Sequence, residues 1–368
     1  MQGVIVKFRE VLDNIKIYEA GKPIELVVRE FGINPQDVVK LASNENPKGV
    51  SPKVSEAIAN SASKAFLYPD DSMFELKDGL ANKFDIESSN IIIGAGSDQI
   101  LEFISRVLLE ANDKVLMSAV TFAMYEVYAR QMGAEIIRTN SYQHIVDEFV
   151  DGYKAHKPKI IYICTPNNPT GDATTKDDVL KIINSVDKDT LVVVDGAYME
   201  YASAKDKKYQ ITPNDIIDYE NVIYLGTFSK AYGLGGMRVG YGIANDNIIK
   251  ALHKMRPPFN ITTLSLLAGI EALKDEEFVT DAIALHQQEI KRYEEFAKDN
   301  GFNYIDSYTN FITYIFDDNM SSTDISNKLL QKGIIIRDLA SYNMNAIRVT
   351  VGTQNQNSRL FEEFKEIL

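Results

Sequence analysis

From about residue 48 to about residue 251 the chain alternates short β-branched runs with stretches of helical spacing, and this alternation limits the folds open to it. The runs at 115–117, 160–164, 191–194, 222–225 and 239–243 have the length and apolar continuity of strands buried on both faces. Val179, Ile182, Ile183 and Val186 mark the apolar face of a helix between two of them. Strands interleaved with helices build a mostly parallel sheet flanked by helices, an α/β architecture. Arg256-Pro257-Pro258 breaks the pattern. Beyond it come helical runs, including a long one at 276–298 closed by Asn300-Gly301, strands around 311–316, 334–337 and 347–351, and a C-terminal helix. These predict a large domain over 48–251 and a smaller α+β domain over 252–368.

Chemistry concentrates where the strand-like runs end. The run at 222–225 leads into GTFSKAYGLGGMRVG, which sets Lys230 among hydroxyls and glycines and places Arg238 eight positions later. A lone lysine in a turn is ordinarily a solvated one, and a Gly-rich loop after a strand is weak by itself. Partners change that balance. A lysine amine can form an imine with an aldehyde cofactor, while the hydroxyls and the arginine can hold a phosphate, a combination that suggests pyridoxal phosphate. Such a cofactor needs a buried acid to keep its ring nitrogen protonated. Asp195 follows Leu191-Val192-Val193-Val194, at the carboxyl end of a strand, where open α/β sheets place ligands. Tyr198 offers a phenol three residues on, although ordinary packing is the commoner use of such a residue.

The run at 159–164 opens into TPNNPTG, a turn-forming sequence that fixes Asn168 between prolines. Its amide suits donation to a phenolate oxygen shared with Tyr198. NIIIGAGSDQ at 90–99 carries a short apolar run into a glycine turn and then a helix with Ile100, Phe103, Ile104, Val107 and Leu108 on one face. Backbone amides at such a helix start bind anions, and simple capping by Ser97 or Asp98 is the plain alternative. Thr227 and Ser229 add hydroxyl donors, and Arg238 adds a charge-assisted fork.

SNENP at 43–47, YPD at 68–70, GAGSDQ at 94–99, TFAMY at 121–125, TPNNPTG at 165–171, DGAYMEY at 195–201, TFSKAYGLGGMRVGY at 227–241, IIIRDL at 334–339 and IRVTVGT at 347–353 run through nearly the whole chain. In this order they resemble the fold-type I pyridoxal-phosphate aminotransferases, and among those the histidinol-phosphate branch. The resemblance implies that Lys230 forms the imine and shuttles the proton, and that Asp195 pairs with the ring nitrogen. It implies that Asn168 and Tyr198 hold the ring oxygen, and that Gly96, Ser97, Asp98, Thr227, Ser229 and Arg238 surround the phosphate. Phe122 matches the aromatic that stacks on the ring. Tyr68 matches a tyrosine that crosses a homodimer interface to the neighbouring phosphate. Arg348, with Arg337 near it, matches the grip on the substrate's anionic group, and Tyr18 and Asn46 fall on the substrate side. The N-terminal arm, residues 1–47, is expected to pack with the smaller domain. Two positions depart from the family: Gly196 stands where a glutamate is frequent, and Phe122 where a tyrosine is frequent.

The implied reaction is transamination between histidinol phosphate and 2-oxoglutarate, giving imidazole acetol phosphate and glutamate in histidine biosynthesis. One pocket must then accept a phosphate in one half-reaction and a carboxylate in the other, and a guanidinium fork suits both. An aromatic amino acid aminotransferase and a threonine-phosphate decarboxylase of the same fold compete with this reading, as does a non-enzymatic cofactor-binding regulator. The regulator is disfavoured because such proteins usually carry an added basic DNA-binding domain.

Composition narrows the rest. The 368 residues hold 39 Lys+Arg against 52 Asp+Glu, a net charge of −13, which argues against nonspecific nucleic-acid binding. An anionic substrate must be drawn by a local basic pocket. The single cysteine, Cys164, excludes an internal disulfide framework and lies in an apolar run suited to packing. His144, His156, His253 and His286 have no metal-site companions in their spacing, so no metal is expected. The first residues do not resemble a signal peptide, and no apolar run has the length of a membrane span. A cytoplasmic enzyme is the expectation.

Overall fold

The computed structural model describes residues 6–15 and 24–368. Thirteen strands occur among them: β1 (Val39–Lys40), β2 (Ile91–Gly94), β3 (Lys114–Met117), β4 (Glu135–Arg138), β5 (Ile160–Cys164), β6 (Leu191–Asp195), β7 (Val222–Thr227), β8 (Gly240–Ala244), β9 (Asn303–Ile305), β10 (Phe311–Ile315), β11 (Ile334–Ile335), β12 (Arg337–Asp338) and β13 (Ala346–Thr350). Seven form one sheet in the order β2-β8-β7-β6-β5-β3-β4. The pairs β3·β4, β3·β5, β5·β6 and β6·β7 are parallel, and β8 runs antiparallel to both β7 and β2. The sheet is therefore mostly parallel, as the alternating pattern predicts.

Strand periodicity explains why the central runs lack polar residues. Successive side chains point to opposite faces, and both faces are covered. Ile161, Ile163, Val192 and Val194 pack on one side with Leu76, Leu80, Val179, Ile182 and Ile183. Ile160, Tyr162, Val193, Ile223 and Leu225 pack on the other with Ile100, Phe103, Ile104 and Leu252. Each large apolar side chain removed from water in this way contributes about 1.5–3 kcal/mol.

The second sheet, β12-β13-β10-β9, is antiparallel. Its core joins Ile312, Tyr314, Ile347 and Val349 to Tyr293 and Phe296 of the helix Glu276–Asp299 and to Phe364 of the helix Gln354–Ile367. The run at 334–337, expected as one strand, is two. Ile334–Ile335 pairs in parallel with β1, whereas Arg337–Asp338 pairs with β13. The expected boundary at residue 251 falls within the helix Asp246–His253, and Gly269 of the following helix Thr263–Leu273 packs close to Leu76 and Val239 of the large-sheet core.

Two features position the site. First, β5, β6 and β7 are parallel neighbours, so their carboxyl ends release the chain along one edge. Because β2 is antiparallel to a strand antiparallel to β7, it ends at the same edge. Second, the segment after β1 straps the small sheet to the large one. The Thr350 N–H donates to the Leu41 carbonyl at 2.8 Å, the Asn44 N–H donates to Thr350 Oγ1 at 2.9 Å, and Asn310 Nδ2 donates to the Asn44 carbonyl at 2.9 Å.

Candidate active site

Lys230 lies three residues past β7. Its Nζ is 3.4 Å from the Ser43 carbonyl on the strap and 5.6 Å from the centre of the Tyr198 ring. Burial, then the nearby Arg348 and Arg238 guanidiniums, lower the amine to about 8. A buried lysine with cationic neighbours can thus present a neutral amine close to physiological pH.

Asp195 closes β6 and is 4 % exposed. Oδ2 accepts from the Tyr125 hydroxyl at 2.7 Å, and Oδ1 accepts from the Ala197 N–H at 3.1 Å. Burial raises its proton affinity, while these two donors act in the opposite direction. The described contacts give this acid two neutral donors and no cation at contact distance. A buried carboxylate in that state suits a ligand that brings a positive charge, such as a protonated pyridine nitrogen.

An anion cradle forms at the same edge. The helix Gly96–Leu108 begins there, and Gly96 sits at φ +76° with Arg238 Nη2 2.7 Å from where a Cβ would stand. At Gly240, a Cβ would stand 2.1 Å from the Ser97 amide nitrogen, so only glycine allows β8 so near the first helical turn. Arg238 Nη1 donates to the Gly235 carbonyl at 3.1 Å and reaches Ser229 Oγ at 3.4 Å, while Nη2 reaches the Ala95 carbonyl at 3.4 Å. Thr227 Oγ1 is 3.0 Å from Ser229 Oγ. A helix N-terminus, two hydroxyls and a guanidinium therefore converge as a phosphate requires. Asp98 accepts from the Tyr128 hydroxyl at 2.9 Å. A carboxylate repels phosphate, so Asp98 suits this cradle through its backbone amide.

Tyr198 is buried, and its oxygen accepts from Asn44 Nδ2 at 2.8 Å. Asn168 does not pair with it directly: Asn168 Oδ1 accepts from Arg348 Nη1. Arg348 is 9 % exposed, also donates to the Ala42 carbonyl at 2.7 Å, and lies 5.2 Å from the Phe311 ring centre. Arg337 is its direct cross-strand neighbour between β12 and β13. Phe122 caps the helix Ala123–Gln131 beside Tyr125, with the two rings 5.5 Å apart edge to face.

The remaining expected residues lie differently. Asn46 has both polar atoms engaged within the chain, donating to the Ala231 carbonyl at 2.9 Å and accepting from the Lys48 N–H at 3.0 Å. Tyr68 is 82 % exposed and stacks on Phe259 at 4.7 Å, beside exposed Phe66, Leu67 and Phe74. Tyr18 lies outside the described residues. Sequence reasoning missed Asn44, Ser43 and Tyr125 as members of the cluster. Tyr125 carried a signal, its spacing of one helical turn from Phe122. Nothing in the strap sequence marks Asn44 as the partner of Tyr198.

The family model for class I and II aminotransferases matches residues 36–364. The chain belongs to this family. The aminotransferase is 69% identical over 363 residues to the histidinol-phosphate aminotransferase of Sulfurovum sp. (strain NBC37-1), covering 99% of this chain and 100% of the relative. It is 59% identical over 358 residues to that of Sulfurimonas denitrificans, covering 97% of this chain and 98% of the relative. Among solved structures it resembles histidinol-phosphate aminotransferase from Sinorhizobium meliloti in complex with pyridoxal-5'-phosphate, with a TM-score of 0.90, 25% identity and full coverage of both chains. The fold of the aminotransferase is thus the fold-type I architecture. No helix among its described residues is long and apolar enough to cross a membrane.

The Gly196 departure has a steric reason. A Cβ there would stand 2.3 Å from the Tyr224 hydroxyl, so this tyrosine fills the space a side chain at 196 would enter. Gly196→Glu is expected to destabilise the aminotransferase by about 1–3 kcal/mol through overpacking, with recovery when Tyr224→Val is added. Urea midpoints at constant slope measure both. The amine at 230 yields a second expectation. Borohydride trapping of an aldehyde probe on the cofactor-free chain should rise with pH through a midpoint of about 8, because only the neutral amine attacks. Arg348→Ala should move that midpoint upward by removing a neighbouring positive charge.

Proposed function

We propose that the enzyme transfers the amino group of histidinol phosphate to 2-oxoglutarate, a step of histidine biosynthesis, with pyridoxal phosphate as cofactor. One observation carries the reading. A buried guanidinium on β13, with a second across the strand pair, shares the edge where a lysine, a buried acid and an anion cradle meet. Such a pair suits an amino donor bearing phosphate and an acceptor bearing carboxylates. The name carried by the relative at 69% identity supports this substrate over others of the family.

When bound, pyridoxal phosphate supplies an electron sink that makes the substrate's Cα–H acidic. The chain's residues do the remainder. The Gly96 helix start, Thr227, Ser229 and Arg238 hold the phosphate, Asp195 receives the ring N–H, and Phe122 stacks on the ring. Tyr198 and Asn168 lie at the ring oxygen, with Asn44 fixing the phenol. Lys230 Nζ would take the proton from the substrate's Cα and deliver it to the cofactor carbon in one half-reaction, and carry a proton the opposite way in the other, a role that needs a neutral amine on a flexible stem. Arg348 and Arg337 grip the phosphate or carboxylate, and Asn168 and the Ala42 carbonyl hold Arg348 in place. Tyr18 belongs to the substrate side.

Two copies pair through the apolar surface around Phe66, Leu67, Tyr68 and Phe259, so that Tyr68 reaches the neighbouring phosphate. The working form is a cytoplasmic homodimer.

Competing amino donors test the assignment. Histidinol phosphate should exceed phenylalanine by at least about 100-fold in kcat/KM, with no carbon dioxide released, since the carboxylate of phenylalanine and the phosphate stand at different distances from the amino carbon and a poorly seated anion forfeits about 3 kcal/mol or more. A preference for phenylalanine would point to an aromatic aminotransferase, and carbon dioxide from threonine phosphate to a decarboxylase. Arg348→Ala should raise KM for the phosphorylated donor roughly 100-fold while changing cofactor affinity less than about threefold. Equal losses in both, by steady-state kinetics and equilibrium dialysis, would remove Arg348 from the substrate grip.

A further inference from the structure

We propose that Tyr125 is a positioning residue that fixes Asp195 as the acceptor for the cofactor's ring nitrogen. This rests on the reading that the chain binds pyridoxal phosphate, and it adds a residue that the sequence motifs did not assign. Tyr125 is fully buried, and its hydroxyl is 2.7 Å from Asp195 Oδ2. Its ring lies parallel to that of Tyr162 on β5, with centres 4.5 Å apart and planes 4° from coplanar. Phe122 closes on it from one helical turn earlier. The phenol is therefore held by a strand on one side and by its own helix on the other.

The i, i+3 spacing gives one helix start two tasks. Phe122 is placed for the face of the ring and Tyr125 for the acid under its nitrogen, so face and edge of one aromatic ligand are set by a single rigid turn.

The chemistry of the acid explains why a donor is needed. Buried among apolar side chains, a lone carboxylic acid takes up a proton and becomes a poor partner for a pyridinium. Hydrogen bonds to the ionised form oppose that. Asp195 has two such bonds, from the Ala197 backbone and from Tyr125, and Tyr125 supplies the one made by a side chain. Burial holds the nearby groups neutral. It raises the Tyr125 and Tyr198 phenols and pushes the Cys164 thiol up to about 12. Tyr125 thus stays a hydrogen-bond donor to Asp195. Two of the roughly four acceptor directions of its carboxylate are then used, and the ring N–H can take another.

Tyr125→Phe keeps the ring, its stacking and nearly its volume, and removes only the O–H. The readout is the 15N resonance of pyridoxal phosphate labelled at the ring nitrogen, bound to wild type, to Tyr125→Phe and to Asp195→Asn, between about pH 6 and about pH 9. Wild type is expected to show a protonated nitrogen throughout. Tyr125→Phe should lose that proton within the range and bind the cofactor about tenfold more weakly, the worth of one hydrogen bond to a charged group. Added to Asp195→Asn, the same change should have less than about a twofold effect. A purely structural role would alter the melting temperature without moving the nitrogen signal.

Incorporating 3,5-difluorotyrosine at 125, a stronger donor of similar shape, should tighten binding, and it remains informative if the phenylalanine variant does not fold. An unchanged 15N resonance with cofactor affinity within about twofold of wild type, in either variant, would overturn the proposal. Failure of wild type to bind pyridoxal phosphate at all would instead overturn the cofactor reading and this proposal with it.

Discussion

Asp195 is a buried acid with no opposite charge at contact distance among the described residues. Removing a carboxylate from water costs several kcal/mol unless it is paired or strongly hydrogen-bonded, and among the described residues Asp195 accepts from a phenol and a backbone amide. Lys230 is close enough to influence it but does not bond to it, and its amine is itself biased toward the neutral form. Both groups are therefore left incomplete, one wanting a cation and the other free to act as a nucleophile. Perturbed groups of this kind cluster at functional sites. The strap, the loop carrying Asn168 and the Gly96 helix start all surround this pair.

Holding such groups together depends on backbone approaching backbone. At the cradle, β8 leaves no room for a Cβ at Gly240 against Ser97, and the φ of Gly96 lets Arg238 reach across the helix start. Where the same sheet edge has space, large side chains occupy it, as Tyr224 does beside Gly196. The family's frequent glutamate is thus replaced by a neighbour's ring, and Asp195 keeps its partners. The substitution changes what lies beside the acid and leaves the acid's own bonds intact.

The legible part of the fold was the part set by local pattern. Runs such as Ile160–Cys164 are apolar at every position because both faces are covered, and that leaves a continuous signature. The edge strand Glu135–Arg138 was not read, since its four residues are half-exposed or exposed and carry charge at both ends. The run at 334–337 looks like one strand, yet the chain changes partners at Ile336, a decision made by two different sheets and invisible in its composition. The site followed the same rule. Lys230 and Asp195 drew notice because they stand at or just past the end of a patterned run, and Arg238 because it stands just before one. Asn44 could not be found, because its bond to Tyr198 spans 154 positions and depends on how the strap crosses the small sheet. Asn46 shows the converse: it stood out in its motif, but its amide nitrogen ties the strap to the Ala231 carbonyl of the lysine loop and its oxygen closes a local turn at Lys48.

The two arginines show how an acidic protein can receive acidic molecules. With a net charge of −13 the distant field repels an anion, so attraction must be local. Arg337 and Arg348 are direct neighbours across an antiparallel pair, a placement that ordinarily destabilises a sheet. The Asn168 amide oxygen and the Ala42 carbonyl, both neutral, accept from Arg348 and orient its guanidinium. In the proposed reaction an anion arriving at Arg348 meets a fork already held in place, so little side-chain entropy remains to be lost. The Arg348 charge also lowers the proton affinity of Lys230, after burial. On the proposed roles, substrate grip and proton transfer are linked through one guanidinium, and neutralising it with a bound phosphate would return the amine toward its ordinary basicity at the stage when a proton has to be accepted.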